Sequence, residues 1–298
     1  MSKQSPLIRL NNQIEMPALG FGVYRSSPEE TTGAVKTAIA TGYRHIDTAA
    51  AYMNEEQVGE AIKASDVARG DIFITTKMWI SDYGYESGLH AINRSLGKLD
   101  TDYIDLYLLH QPVPMHFERT IGAYKAAETA LVDGRIRAIG VSNFNTQQLE
   151  NLMAEIDIVP AVNQIEVHPF FTQQALRDTH AKYGITTQAW SPIGGVNRYY
   201  NDNAEKLNDP LTHPTIIELG EKYGKTPAQV ILHWHIQNGF CAIPKSVNPS
   251  RIAENFDVFD FDLTSDEMAS IEALNTDVRG GPEPESLDPD KMDFRIAD

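Results

Sequence analysis

At 298 residues, with 42% apolar and 22% charged side chains, the chain has the composition of a globular protein whose core suits one large barrel domain or two smaller ones. A formal net charge of −16 argues against non-specific attachment to nucleic acid or an anionic membrane, because phosphate attraction needs clustered Lys and Arg. The single cysteine, Cys241, excludes a disulfide within the chain, and with no basic-then-apolar leader over Met1 to Arg9 and no apolar run near the roughly 20 residues of a membrane helix, a cytoplasmic location is expected.

Leu7 to Leu10, the polar turn Asn11-Asn12-Gln13 and Ile14 to Met16 read as a β-hairpin suited to plug the floor of a barrel. Helix and strand patterns then alternate. Helix Pro28 to Thr41, started by Ser27 before a first-turn proline, precedes strand Tyr43 to Ile46, which stops at Asp47. Helix Glu55 to Ala64, strand Asp71 to Thr76 ending at Lys77, helix Tyr85 to Leu99 and strand Tyr103 to Leu109 ending at His110 follow. Next come helix Glu118 to Val132, strand Ala138 to Val141 ending in Ser142-Asn143, helix Thr146 to Ala154 after Asn145, and strand Ala161 to Asn163 ending at Gln164. Helix Thr172 to Tyr183 and strand Ile185 to Ala189, ending at Trp190 and Ser191, lead into an insertion. That insertion, Ile193 to Tyr223, opens on Gly194-Gly195, crosses the polar segment Asn197 to Asn208 and carries a helix from about Thr215. Long loops of this kind are usually functional. Helix Thr226 to Gln237, strand Cys241 to Pro244 ending in Lys245-Ser246, helix Pro249 to Phe256 and an extra helix Ser265 to Leu274 complete the pattern before a Pro-, Gly- and acid-rich tail from Asp277. The tail cannot form a core of its own, and the expectation is that it lies across the barrel mouth. The whole is expected to form one barrel domain over residues 1–298, with the tail at 277–298.

In a (β/α)8 barrel the carboxyl ends of the strands build the active site, so Asp47, Tyr52, Lys77 and His110 converge on one pocket. A tyrosine acting as an acid near neutral pH needs help, since its ordinary pKa is about 10. Lys77 beside Tyr52 favours the phenolate, Asp47 holds Lys77 charged, and His110 donates to a substrate oxygen, so the four together polarise and protonate a carbonyl as hydride arrives. Singly, each has an ordinary explanation: a solvent lysine, a satisfied core histidine, a turn cap. Their joint placement is what points to chemistry.

Other patterns carry less. Gly20-Phe21-Gly22 begins like a dinucleotide-binding loop, but Arg25 occupies the third glycine position and no helix follows at once. His233 and His235 lie two apart on a helix, where side chains do not face each other. His45 sits deeper than Asp47 on the same strand face without a third ligand, and His168 reads as a structural strand-end residue. No catalytic metal is expected.

The chain resembles the aldo-keto reductase family. The matching stretches are Asp47-Thr48-Ala49 with Tyr52 and Asn54-Glu55, Thr76-Lys77 with Trp79, Asp105-Leu106 with His110, and Gly140-Val141-Ser142-Asn143-Phe144. Asn163-Gln164 with His168-Pro169, and Ile243-Pro244-Lys245-Ser246-Val247 with Arg251, Glu254 and Asn255, extend the match to about Leu274. The resemblance implies a (β/α)8 TIM barrel, NADPH as cofactor, a small-molecule carbonyl substrate, a monomer, and the tetrad Asp47, Tyr52, Lys77 and His110. It further implies that Ser142, Asn143 and Gln164 hold the nicotinamide carboxamide, that the ring stacks on Trp190 beside Ser191, and that Lys245, Ser246 and Arg251 bind the adenosine 2'-phosphate with Glu254 and Asn255 near the adenine. Trp190 stands where many members have Tyr, which is similar to bacterial 2,5-diketogluconate reductases. Tyr24 and Trp79 are expected in the substrate wall. A lysine-dependent aldolase using Lys77, and a regulatory protein sensing a nucleotide on the same fold, are the alternatives. The aldolase leaves Lys245 to Asn255 unexplained, and the intact tetrad counts against the sensor.

Overall fold

Eight parallel strands and their helices carry the chain around a closed barrel in the computed structural model, which describes residues 4–196, 209–291 and 293–296. The strands are β3 (Phe21–Gly22), β4 (His45–Asp47), β5 (Phe73–Met78), β6 (Leu106–Leu109), β7 (Ile139–Ser142), β8 (Val162–Glu166), β9 (Thr186–Trp190) and β10 (Cys241–Ile243), hydrogen-bonded in sequence order. The helices are α1 (Pro28–Thr41), α2 (Glu55–Lys63), α3 (Tyr85–Leu99), α4 (Phe117–Val132), α5 (Thr146–Met153), α6 (Gln174–Tyr183), α7 (Pro214–Tyr223), α8 (Pro227–Gln237), α9 (Pro249–Phe256) and α10 (Ser265–Glu272). The polar segment Asn197 to Asn208 lies outside the described residues. Among the described residues no helix is long and apolar enough to cross a membrane.

The sheet holds one strand more than the runs expected from the sequence, and that strand is β3. It closes the barrel: Gly20 N–H donates to Ala242 O at 2.9 Å, Gly22 N–H to Pro244 O at 3.0 Å, and Ala242 N–H to Ala18 O at 2.8 Å. Its glycines are explained by crowding. A Cβ on Gly20 would lie 2.5 Å from Ile243 Cδ1, and one on Gly22 would lie 2.9 Å from Ile243 Cγ2. The Gly-x-Gly pattern therefore serves close strand packing, one of the standard reasons for glycine inside a sheet.

Below the barrel, β1 (Leu7–Arg9) pairs antiparallel with β2 (Glu15–Pro17), as the hairpin pattern predicts. Leu10 and Met16 from this hairpin are fully buried against Phe73, Leu106, Leu108, Cys241 and Ile243. They fill the barrel floor. Cys241 is a packing residue whose thiol is pushed up to about 12 by burial.

Three of the expected helix starts hold as reciprocal capping boxes, at Ser27 with Glu30, Asn145 with Gln148, and Thr226 with Gln229. A cap of this kind contributes about 1 kcal/mol. One start moves. Helix α6 begins at Gln174 rather than Thr172, because Thr172 N–H is taken by Asn275 Oδ1 at 3.1 Å and Gln173 adopts a left-handed φ of 52°.

Candidate active site

Strand alternation decides which side chains enter the barrel. On β4, His45 and Asp47 point inward; on β5, Thr75 and Lys77 do, while Thr76 points outward to bond Glu55 Oε1 at 2.6 Å. His45 occupies the lower layer, with Nε2 2.9 Å from Thr75 Oγ1 and Nδ1 3.3 Å from Pro17 O, so both its nitrogens are used structurally. Asp47 and Lys77 occupy the upper layer. Lys77 is fully buried and donates from Nζ to Asp47 Oδ1 at 2.7 Å, to Thr48 O at 2.8 Å and to Tyr52 Oη at 3.4 Å. Burial pushes the Lys77 ammonium below the usual lysine range, and the Asp47 carboxylate opposes that push.

Tyr52 reaches the site because β4 is followed by a single 3₁₀ turn, Ala50–Tyr52, before α2. Its ring sits 5.0 Å from Tyr24 and 5.7 Å from His110, centroid to centroid. His110, just past β6, also meets the edge of Trp79 at 5.2 Å. Burial, with Lys77 adding like charge, holds the imidazole well below its ordinary pKa, so it is neutral near pH 7. Among the described residues its buried Nδ1 has no hydrogen-bond partner. All four tetrad residues expected from the sequence thus meet at one point.

A second group adjoins them. Gln164 Nε2 donates to Asp47 Oδ2 at 2.6 Å and to Gln188 Oε1 at 2.6 Å, tying β8 to the tetrad. Ser142 Oγ donates to Gln164 O at 2.8 Å, and Asn143, held at a left-handed φ of 67°, donates to His110 O at 3.1 Å. Asn143 Oδ1 also accepts the Trp190 indole N–H at 2.9 Å, which fixes the ring at the end of β9. Ser191 follows at φ 51° and accepts Val196 N–H on Oγ at 2.7 Å.

The third group lies where β10 gives way to α9. Lys245 is half-buried, and burial lowers its ammonium, with Glu30 opposing and the like charge of Arg25 adding to the shift. Ser246 Oγ accepts Asn248 N–H at 3.1 Å, shaping the turn into α9. Arg251 sits exposed in the first turn of that helix, its backbone N–H bonded to Asn248 Oδ1 at 3.3 Å. Asn255 is buried, and Glu254 Oε1 accepts the Thr226 hydroxyl at 3.0 Å.

The tail does cross the mouth. Thr276 N–H and its hydroxyl both reach Phe170 O, at 3.0 and 2.9 Å. Gly280 and Gly281 N–H groups donate to the buried carboxylate of Glu166 at 2.7 and 3.0 Å. Further on, Asp290 pairs with Arg119 at 2.8 Å and with His116 at 3.2 Å, and Phe294 stacks edge-on against Trp79 at 6.0 Å. Glu166 and Phe294 escaped the sequence reading. Glu166 left one signal, an acidic residue on a buried strand two positions after Gln164; Phe294 left none beyond being aromatic in a polar tail.

The model of the aldo/keto reductase family matches residues 18–276. A morphine 6-dehydrogenase of Pseudomonas putida is 54% identical over 97% of this chain and 97% of its own length. A glyoxal reductase of Bacillus subtilis is 46% identical over 94% of this chain and 96% of its own. Among solved structures, an aldo-keto reductase of Bombyx mori in complex with NADP superposes with a TM-score of 0.85 at 38% identity, covering 93% of this chain and 95% of that one. On this match across most of its length, and on a barrel of the same architecture, the chain belongs to the aldo/keto reductase family.

Proposed function

We propose that the protein reduces aldehydes or ketones to alcohols with NADPH, Tyr52 giving its phenolic proton to the carbonyl oxygen. The observation that carries this is the Lys77 ammonium, 2.7 Å from Asp47 and 3.4 Å from the Tyr52 hydroxyl, beside a neutral His110. A cation at that distance stabilises the phenolate left after proton transfer, and a neutral imidazole offers one N–H donor to the substrate oxygen. The Asp47 carboxylate and Thr48 carbonyl occupy the lysine's remaining donors and hold it in place. Trp79, Tyr24 and Phe294 form the apolar wall against which a substrate lies. Attack by Lys77 as a Schiff base would need Nζ free to reach a carbonyl, whereas it donates to Asp47, Thr48 and Tyr52.

NADPH when bound supplies the hydride. The residues fit it: Arg25 lies close enough to Lys245 to add to the lowering of its ammonium on a chain of net charge −16, and Arg251 adds a third cation on the adjoining helix. A 2'-phosphate would find local cations there on a chain that is acidic overall. Ser142, Asn143 and Gln164 would hold the carboxamide, with the nicotinamide on Trp190. Following NADPH oxidation across a panel that includes glyoxal, methylglyoxal and simple ketones, with morphine and NADP tested in the reverse direction, checks the reaction; no turnover of any carbonyl compound would refute it.

Replacing Arg251 with Ala should weaken NADPH binding about 10- to 100-fold, the equivalent of one lost charge-assisted hydrogen bond of about 1.5–3 kcal/mol. NADH binding should barely change. Fluorescence titration with both cofactors reads this directly, and equal weakening of the two would show that Arg251 does not contact the phosphate.

A further inference from the structure

Trp190 is held at two ends. Its indole N–H is fixed by Asn143 Oδ1 at 2.9 Å. Its far edge meets the tail, where a Cβ built on Gly281 would lie 2.6 Å from Trp190 Cη2, 2.9 Å from Glu166 Oε2 and 3.3 Å from Val196 Cγ2. Gly281 is not among the glycines with left-handed φ, so its backbone conformation is open to any L-residue. Only the missing side chain is required. The tail cannot retreat to make room, because Glu166, fully buried and beside Trp190 in the β8–β9 register, accepts the N–H groups of both Gly280 and Gly281 and lies 3.6 Å from Arg279 Nη1.

We propose that Gly281, clamped by Glu166, is a positioning residue that sets the plane of the Trp190 ring on which the cofactor stacks. The proposal rests on the reading of Trp190 as that platform. Two groups require the glycine, the Trp190 ring at 2.6 Å and the Glu166 carboxylate at 2.9 Å, and the first is particular to tryptophan at position 190. A tyrosine ring lacks the distal indole carbon that Gly281 faces, so the pair Trp190 and Gly281 forms a matched set. Adding one methyl group at Gly281 should tilt the indole, whereas beside a tyrosine the same methyl meets the Glu166 carboxylate but not the distal indole carbon.

The test is a double-mutant cycle read by NADPH fluorescence titration and by the separation of kcat from KM. Gly281→Ala should weaken NADPH binding about tenfold, within the range found for coupled side chains in contact, and raise KM for NADPH more than it lowers kcat. In a Trp190→Tyr background the same change should weaken NADPH binding markedly less, leaving only the contribution of the Glu166 contact. Equal effects in both backgrounds would overturn the proposal. Trp190→Ala separates the two ideas: if it leaves NADPH affinity unchanged, the platform reading itself fails. Should Gly281→Ala alone not fold, a folded Gly281→Ala/Trp190→Tyr protein supports the steric coupling, and failure of both excludes it.

Discussion

Tyr52→Phe should lower carbonyl turnover by about 10²–10⁴, the usual worth of a positioned general acid, while NADPH affinity stays near the wild-type value. The substitution is conservative in packing: the ring keeps its neighbours Tyr24 and His110, and Lys77 keeps Asp47 and Thr48. The hydroxyl is lost, and with it the transferable proton and the 3.4 Å contact from Lys77 Nζ. Single-turnover kinetics with a deuterated cofactor would confirm that the measured step is chemistry. A mutant retaining more than about a tenth of the wild-type rate under those conditions would remove Tyr52 from the role of acid. Lys77→Met should cost a similar factor, and it should also destabilise the fold, because the Asp47 carboxylate would lose the ammonium that faces Oδ1.

Stability should fall steeply as the pH drops from about 6 to 5. Burial lowers His45 and His180 to about 4 and His235 to about 3, and it holds His110 well below its ordinary value. Unfolded, each takes up a proton near pH 6.5; folded, each stays neutral until the pH is far lower. Between those values the unfolded chain binds more protons, so stability rises with pH and is lost as pH falls through the unfolded value. Glu55 works in the opposite sense, since burial raises its carboxyl above the unfolded value. With His233 lowered by burial as well, five histidines stand against one carboxyl, a difference of roughly four protons and a slope of about 5 kcal/mol per pH unit at most. Urea unfolding at pH 6 and pH 5 measures it, and His45→Gln should flatten the slope by about one proton's share. A flat profile would mean that these histidines are not buried and neutral.

Much of this site was legible in the sequence because barrel chemistry sits where apolar runs stop, and Asp47, Lys77, His110, Gln164 and Trp190 each mark such a stop. Helix starts were legible where Ser27, Asn145 and Thr226 close capping boxes. Strand β3 was not, because its identity is written in contacts rather than propensity: two glycines, poor strand formers, stand there to admit Ile243 from the far end of the chain. The roles of Glu166, Gly281 and Phe294 were hidden for a related reason. Each depends on where a tail with a single 3₁₀ turn, Pro284–Ser286, among its described residues comes to rest, and no periodicity encodes that.

The seam between β3 and β10 also has a consequence during synthesis. The first and last staves of the barrel, Phe21–Gly22 and Cys241–Ile243, lie far apart in the chain, so the ring cannot be sealed until the second has emerged from the ribosome. Until then the growing sheet carries two open edges, β3 at one side and its newest strand at the other, with their backbone donors and acceptors unpaired. Open edges invite pairing with other chains. A fragment ending before Phe240 should therefore aggregate more than the full chain, a contrast that sedimentation after expression would reveal.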